Sequence, residues 1–353
     1  MHDCQMLSPN MENFSQILVE EAYKQKTPLR GTFELTARCN FNCNMCYVHL
    51  KEDQISKIGR ELNNEEWLEI ARQAKEAGML YLTLTGGEVF IRPGFKELYI
   101  ELSKMGFLIQ IFSNGYMIDE AVMEWLKEYP PYSLRFTLYG ASNEVYEAVC
   151  GIKNGFDRVV HAIDLVLEAK IPFYMVGTIV KENQCDLQKM HEFAKIKNVF
   201  FKPTIAVIQP VRGATADANM HKLSVKDLVE ICSIKVEEKE RIFKKVTNIL
   251  ENCGAYRKSF WLTWNGKLQL CAFTEYPSVD ILNLPFKKAW EMLLLQLEKI
   301  TIPDECKDCK YEGFCKKCPG LLLAECGSYE KVTEAFCEEA KQLYEIYHTM
   351  EKM

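Results

Sequence analysis

The residue types best suited to chemistry are three cysteines in the stretch "TARCNFNCNMCYVHL", residues 36–50: Cys39, Cys43 and Cys46, spaced C-x3-C-x2-C. Each could be a packed thiol, half of a disulfide, a zinc ligand or an iron ligand. A closed structural zinc site takes four protein ligands, and His49 is the only nearby candidate for the fourth. Three thiolates on one tight loop suit a cubane [4Fe–4S] cluster with one iron left free of protein. The plainer readings are a zinc site completed by His49 or an accidental grouping.

The rest of the chain bears on that choice. Its 353 residues are 48% hydrophobic and 26% charged, ordinary for a globular protein with a sizeable core. A formal net charge of −6 supplies no attraction to a polyanion, so no nucleic-acid partner is expected. The opening "MHDCQMLSPNMENF" lacks the basic-then-apolar layout of a secretion signal. No apolar run is long enough to cross a bilayer, so no membrane partner is expected either. A cytoplasmic protein follows, where fifteen cysteines are poor candidates for disulfides. Six of them crowd between Cys306 and Cys337, a density that points to metal ligation. Cys4, Cys150, Cys185 and Cys232 stand alone and read as buried small apolar residues or inert surface thiols.

The elements that would position the first cysteines alternate in type. "GTFELT", "MLYLTLT", "FLIQIFS", "YSLRFTLYG", "PFYMVGTIV" and "VFFKPTIAVI" read as strands. Helical patterns occupy about 63–78 (ending on Gly78), 94–105, 119–127, 156–170 and 186–195. Six such units call for a parallel sheet with crossover helices, an open or partial barrel whose chemistry gathers at the C-terminal strand ends. The cysteine stretch follows strand one, "TGGE" (85–88) follows strand two, "SNG" (113–115) follows strand three, and Thr137 lies near the end of strand four. Beyond these, "QPVRGATADANMH" reads as a linker or flap, and "SVKDLVEICSIKVEEKERIFKKVTNIL" as a helix. "SFWLTWNGKLQLCAF" has Asn-Gly at the turn of a hairpin, and a last helix is expected near 333–349.

C-x3-C-x2-C after the first strand of a partial barrel resembles the radical S-adenosylmethionine (SAM) superfamily. The resemblance implies a [4Fe–4S] cluster on Cys39, Cys43 and Cys46, with SAM chelating the open iron and being cleaved reductively to a 5′-deoxyadenosyl radical that takes hydrogen from a substrate. It implies that Gly86, Gly87 and Glu88 match the Gly-Gly-Glu motif facing the SAM amine, the glycines letting backbone approach the ligand. Ser113 and Asn114 would meet the ribose or carboxylate, Thr137 is the hydroxyl residue after strand four, and residues 176–180 would lie along the adenine. Where many members carry an aromatic residue before the third cysteine, this chain has Met45, whose thioether can cover a purine face.

The C-terminal cysteines Cys306, Cys309, Cys315 and Cys318 are spaced C-x2-C-x5-C-x2-C, with Cys337 beyond and with Cys253 and Cys271 flanking the Gly266 turn. They resemble the SPASM extension of radical SAM enzymes, whose middle motif usually ends in x3 rather than x2. The resemblance implies one or two auxiliary iron–sulfur clusters of the [4Fe–4S] type: a distal one on Cys306, Cys309, Cys315 and Cys337, and a proximal one on Cys253, Cys271 and Cys318. The proximal set is one ligand short; Cys326 completes it, an iron stays open, or the cluster is smaller. Read without the barrel, the same pairs suit zinc equally well.

The resulting expectation is an α/β chain with a partial (β/α)6 TIM-like barrel and a C-terminal cysteine-rich iron–sulfur domain. Its boundaries are an N-terminal extension over 1–28, the barrel over 29–208, a linker and bridging helix over 209–250, and the auxiliary-cluster domain over 251–353. The resemblance implies a peptide substrate, as in maturation of ribosomally made peptide products, and an external low-potential electron donor of flavodoxin or ferredoxin type. Since about 28 residues precede strand one, any leader-peptide-binding function would fall to a separate protein or to the barrel. Sulfatase maturation is disfavoured, because Ala272 and Phe273 follow Cys271 where those enzymes carry an Asp. Small-molecule or tetrapyrrole modification is the alternative, and a non-catalytic electron carrier is the alternative of another class. Tyr139, Arg212 and Glu275 are candidates for proton transfer by location alone.

Overall fold

The computed structural model describes residues 9–227, 247–315 and 318–350. Most of the helix expected after Ser224, with Cys232, lies outside them, as does Cys4.

A nine-stranded sheet, in the order β6-β5-β4-β3-β2-β1-β7-β8-β9, forms the frame. Six parallel strands, β1 (Arg30–Glu34), β2 (Tyr81–Thr85), β3 (Leu108–Ser113), β4 (Ser133–Thr137), β5 (Phe173–Thr178) and β6 (Phe201–Thr204), run in sequence order. β7 (Ser259–Leu262) pairs parallel to β1, with Arg30 opposite Ser259 and Thr32 opposite Trp261. β8 (Lys267–Gln269) and β9 (Val279–Asp280) continue antiparallel from it. The barrel therefore stays open between β6 and the hairpin side. The expected hairpin is present, and it extends the barrel's own sheet.

Helices α1 (Pro9–Gln25), α2 (Glu52–Ile58), α3 (Asn64–Glu76), α4 (Phe95–Lys104), α5 (Glu120–Glu128), α6 (Asn143–Cys150), α7 (Gly155–Glu168) and α8 (Leu187–Ile196) precede a single turn, α9 (Ala218–His221). α10 (Phe286–Leu297), α11 (Pro319–Cys326) and α12 (Glu334–Met350) follow the hairpin. The reading of the sequence missed α1, α2, α6, the single turn α9, α10 and α11. In α3, Trp67, Ile70, Ala71 and Ala74 recur at helical spacing and are buried. Its start is a capping box: Glu66 N donates to Asn63 Oδ1 and Asn63 N donates to the Glu66 carboxylate, both at 2.9 Å, a device worth about 1 kcal/mol.

Strand alternation separates two faces. Phe33, Leu84, Ile111, Phe136 and Met175 are buried under the helices, with Phe33 4.9 Å from Trp67 between ring centroids. The other face carries Thr32, Glu34, Thr83, Gln110, Ser133, Arg135, Thr137, Tyr174 and Trp261. Such a polar concave face is unsuited to packing and suited to holding a polar ligand. Gln110 Nε2 donates to Ser133 Oγ at 2.7 Å and to Tyr174 Oη at 3.2 Å across this face.

Candidate metal and cofactor site

The exits of β1 and β2 lock together. Gly87 N donates to Thr36 O at 2.8 Å and Glu88 N to Arg38 O at 2.9 Å. A Cβ on Gly86 would stand 2.4 Å from Thr36 O, and one on Gly87 2.1 Å from Arg38 O. The absence of a side chain at these glycines lets the exit of β2 lie directly against the backbone leading into the cysteine loop.

Glu88 is fully buried beneath this junction. Ser113 Oγ donates to its carboxylate at 3.0 Å, Asn114 N at 2.7 Å and Phe90 N at 3.1 Å. Desolvation nevertheless pushes its pKa up to about 7, because the hydrogen bonds offset only part of the cost of burying the charge. Asn114 Nδ2 reaches on to Asn40 Oδ1 at 2.8 Å and to Cys39 Sγ at 3.8 Å. One chain of contacts therefore joins Glu88, Ser113, Asn114 and Cys39. Thr137 ends β4 half-buried on the concave face, and Met45 is packed into the core.

Cys39, Cys43 and Cys46 feel one another's charge and are largely desolvated. Burial pushes the Cys46 thiol up to about 11 and the Cys39 thiol higher, and the Cys43 thiol is raised first by a hydrogen bond with Cys150 and then by burial. The loop is held from outside by the C-terminus of α6. Asn42 N donates to Cys150 O at 2.9 Å, Asn44 N to Val149 O at 3.0 Å, and Asn44 Nδ2 to Ala148 O at 2.9 Å. Helix carbonyls that would lack partners are satisfied by the residues on either side of Cys43. His49 lends its backbone N–H to Cys46 Sγ at 3.3 Å, so its contact with the cysteines is through the main chain.

The C-terminal cysteines divide into two groups. Cys306 interacts with Cys315, Cys337 and Cys309, and Cys271 with Cys253 and Cys318. Burial pushes Cys306 and Cys271 each up to about 12. Cys326 sits at the far end of α11 from Cys318, a rise of roughly 12 Å at the helical pitch. Its sulfur lies 3.5 Å from Thr333 Oγ1, on the side of Cys337. Of the ways to complete the proximal set, Cys326 is the one this geometry disfavours. Of the single cysteines, Cys150 is fully buried beside Cys43, and Cys185 is exposed.

The donor sets, three or four cysteine thiols each, fit an iron–sulfur cluster. Neutral buried thiols are a poor use of polar surface unless a metal displaces their protons. Among the described residues, no three His, Cys, Asp or Glu donors converge closely enough to hold one metal ion.

Sequence reading missed Glu34. It is fully buried at the end of β1 on the concave face, where its Oε2 accepts from Arg212 Nη2 at 2.7 Å and Trp261 Nε1 at 3.0 Å. A carboxylate at the last position of β1, just ahead of the cysteine stretch, was the available signal.

The profile of the Radical SAM superfamily matches residues 33–194. The chain is 23% identical over 339 residues to the AdoMet-dependent heme synthase of Methanosarcina barkeri, covering 86% of this chain and 95% of that protein. It is 25% identical over 317 residues to the antilisterial bacteriocin subtilosin biosynthesis protein AlbA of Bacillus subtilis, covering 82% of this chain and 67% of that one. Streptococcus suis SuiB bound to precursor peptide SuiA superposes with a TM-score of 0.65 at 15% identity, over 95% of this chain and 82% of SuiB. At that identity the likeness is one of fold. No helix among the described residues is long and apolar enough to cross a membrane.

Proposed function

Residues 33–194 match the Radical SAM superfamily, and from that premise we propose that the chain is a radical SAM enzyme that modifies a ribosomally made peptide. Cys39, Cys43 and Cys46 would hold a [4Fe–4S] cluster, with Glu88, Ser113, Asn114 and Thr137 lining the SAM side. A reduced cluster held there would supply the single electron that reductive cleavage of bound SAM needs, the chemistry by which hydrogen would be taken from a substrate.

The chain's own residues supply geometry and exclusion of water. The Gly86–Gly87 junction fixes the cysteine loop against β2, and the buried Glu88 ties β2 to β3. Auxiliary clusters on Cys306, Cys309, Cys315 and Cys337, and on Cys253, Cys271 and Cys318, belong to the same proposal. So do the boundaries at 29–208, 209–250 and 251–353, an external flavodoxin- or ferredoxin-type donor, a separate leader-binding protein and a cytoplasmic setting.

The observation that carries the peptide reading is the likeness to AlbA over 82% of the chain, with both C-terminal cysteine groups assembled. A tetrapyrrole substrate is the second reading, favoured by the match to the heme synthase over 95% of that protein's length. Anaerobic protein is given SAM, reductant and either a peptide encoded beside its gene or an iron-containing tetrapyrrole. A mass change in the peptide, dependent on Cys39, supports the first reading. An unchanged peptide with tetrapyrrole turnover replaces it with the second.

A further inference from the structure

Arg212 lies in the segment after β6 that the sequence marked as a linker or flap, and it takes up a left-handed backbone with φ of 54°. The segment makes an unusual pair of contacts. Val211 N donates to the carbonyl of Tyr47, the residue after Cys46, at 3.0 Å. Arg212 Nη1 donates to the carbonyl of Ala272, the residue after Cys271, at 2.8 Å. Two consecutive residues thus hold the carbonyls that directly follow a cysteine in each of two cysteine groups.

The rest of Arg212 is anchored as firmly. Its Nη2 reaches Glu34 Oε2, which also accepts from Trp261, and its backbone N–H donates to the Glu275 carboxylate. The Arg212 side chain is 9% exposed and that of Glu34 1% exposed. A buried ion pair of this kind is held by geometry, since the desolvation of both charges offsets much of their attraction. Tyr47 and Phe273 pack edge to face across the same junction, with ring centroids 6.1 Å apart.

We propose that Val211 and Arg212, anchored on Glu34, are a strap that fixes the loop of the SAM-cluster cysteines against the loop of Cys271, and that Arg212 is the positioning residue of the reaction cavity between them. Neither loop has to touch the strap to carry its cysteines, because each has its own support: α6 behind Cys43, and the Thr274 hydroxyl accepting from Cys271 N at 3.0 Å. The strap instead sets how the two sites stand relative to each other. A substrate placed against one site is thereby placed against the other. The inference rests on reading both cysteine groups as cluster sites.

The test uses full-length protein reconstituted anaerobically with iron and sulfide, as wild type, Arg212→Lys, and the double variant Glu34→Leu/Arg212→Met. The double variant removes both charges together, so no unpaired buried charge is left to prevent folding. In it, amide exchange in segments 46–50 and 271–275 should rise together by about tenfold or more while helix α3 keeps its protection. The electron-paramagnetic-resonance signal of the reduced SAM cluster should saturate at several-fold lower microwave power, because a neighbouring cluster held less rigidly relaxes it less. Arg212→Lys, which keeps the charge but not the fork of donors, should restore part of both. Full iron content with unchanged saturation and exchange would overturn the strap. Iron confined to the first site in wild-type protein would instead overturn the cluster assignment, and with it the cavity role.

Discussion

The two cysteine-bearing regions differ in how they are built. Cys39, Cys43 and Cys46 come from one loop of eight residues, supported by neighbouring strand ends and by α6, with Val211 of the strap holding the carbonyl beside Cys46. Cys253, Cys271 and Cys318 span 66 positions and meet only because the hairpin β7–β8 and the start of α11 converge. A local loop has most of its closing entropy already lost, whereas a set gathered from distant segments is ordered only when the whole region folds. The first site should therefore survive damage to the second, while the second depends on the integrity of the fold around it.

The largest effect expected is from Cys39→Ala, which should abolish 5′-deoxyadenosine formation and remove the iron of the first site, leaving auxiliary iron in place. Iron analysis and product chromatography on anaerobic protein check both. Retained auxiliary iron confirms that the two regions load separately; parallel loss of all iron would break the comparison. Cys271→Ala is the mirror experiment. It should strip the proximal site of iron and leave slow SAM cleavage at the first, measurable by the same chromatography.

Next in size is Gly87→Ala. Its Cβ would meet the Arg38 carbonyl at 2.1 Å, where no flexible side chain can yield. Overpacking of that kind costs about 3 kcal/mol, visible as a lower denaturation midpoint, and it should damage the first site while sparing the second.

A smaller effect concerns Glu88. Its folded-state pKa of about 7 lies above the ordinary value of 4.5, so the folded protein holds a proton that the unfolded chain gives up. Its contribution is fully present below pH 4.5 and is lost as pH rises through 7, by at most about 3 kcal/mol. Glu88→Gln should flatten this part of the stability profile, measured by denaturation of iron-free protein across pH 4.5–8. An unchanged profile would show that the carboxylate is already ionised in the folded state. The smallest effect is that of Cys326→Ala, which should leave iron content unaltered; loss of proximal iron would mean that α11 rearranges to bring Cys326 to Cys318.

Much of the architecture was legible because its signals are local. The strand–helix alternation from Gly31 to Ile208, the Asn-Gly hairpin turn and the helix over 64–76 all follow from periodicity and turn chemistry. Helix α6 escaped notice because "NEVYEAVC" is short and its importance lies in its last carbonyls. Nothing in the order of residues announces that Asn42 and Asn44 will cap it.

By itself the sequence determined the ligand-rich loop, its place after the first strand and the glycines at the second, since each is set by neighbours a few residues away. Tertiary structure alone decided that the Gly-Gly pair meets the backbone of residues 36–38, that Cys326 stands apart from Cys318, and that Glu34 pairs with Arg212 across 178 positions. Those outcomes depend on how distant segments pack against one another. A buried charge finds its partner through the fold, and spacing along the chain carries no record of it.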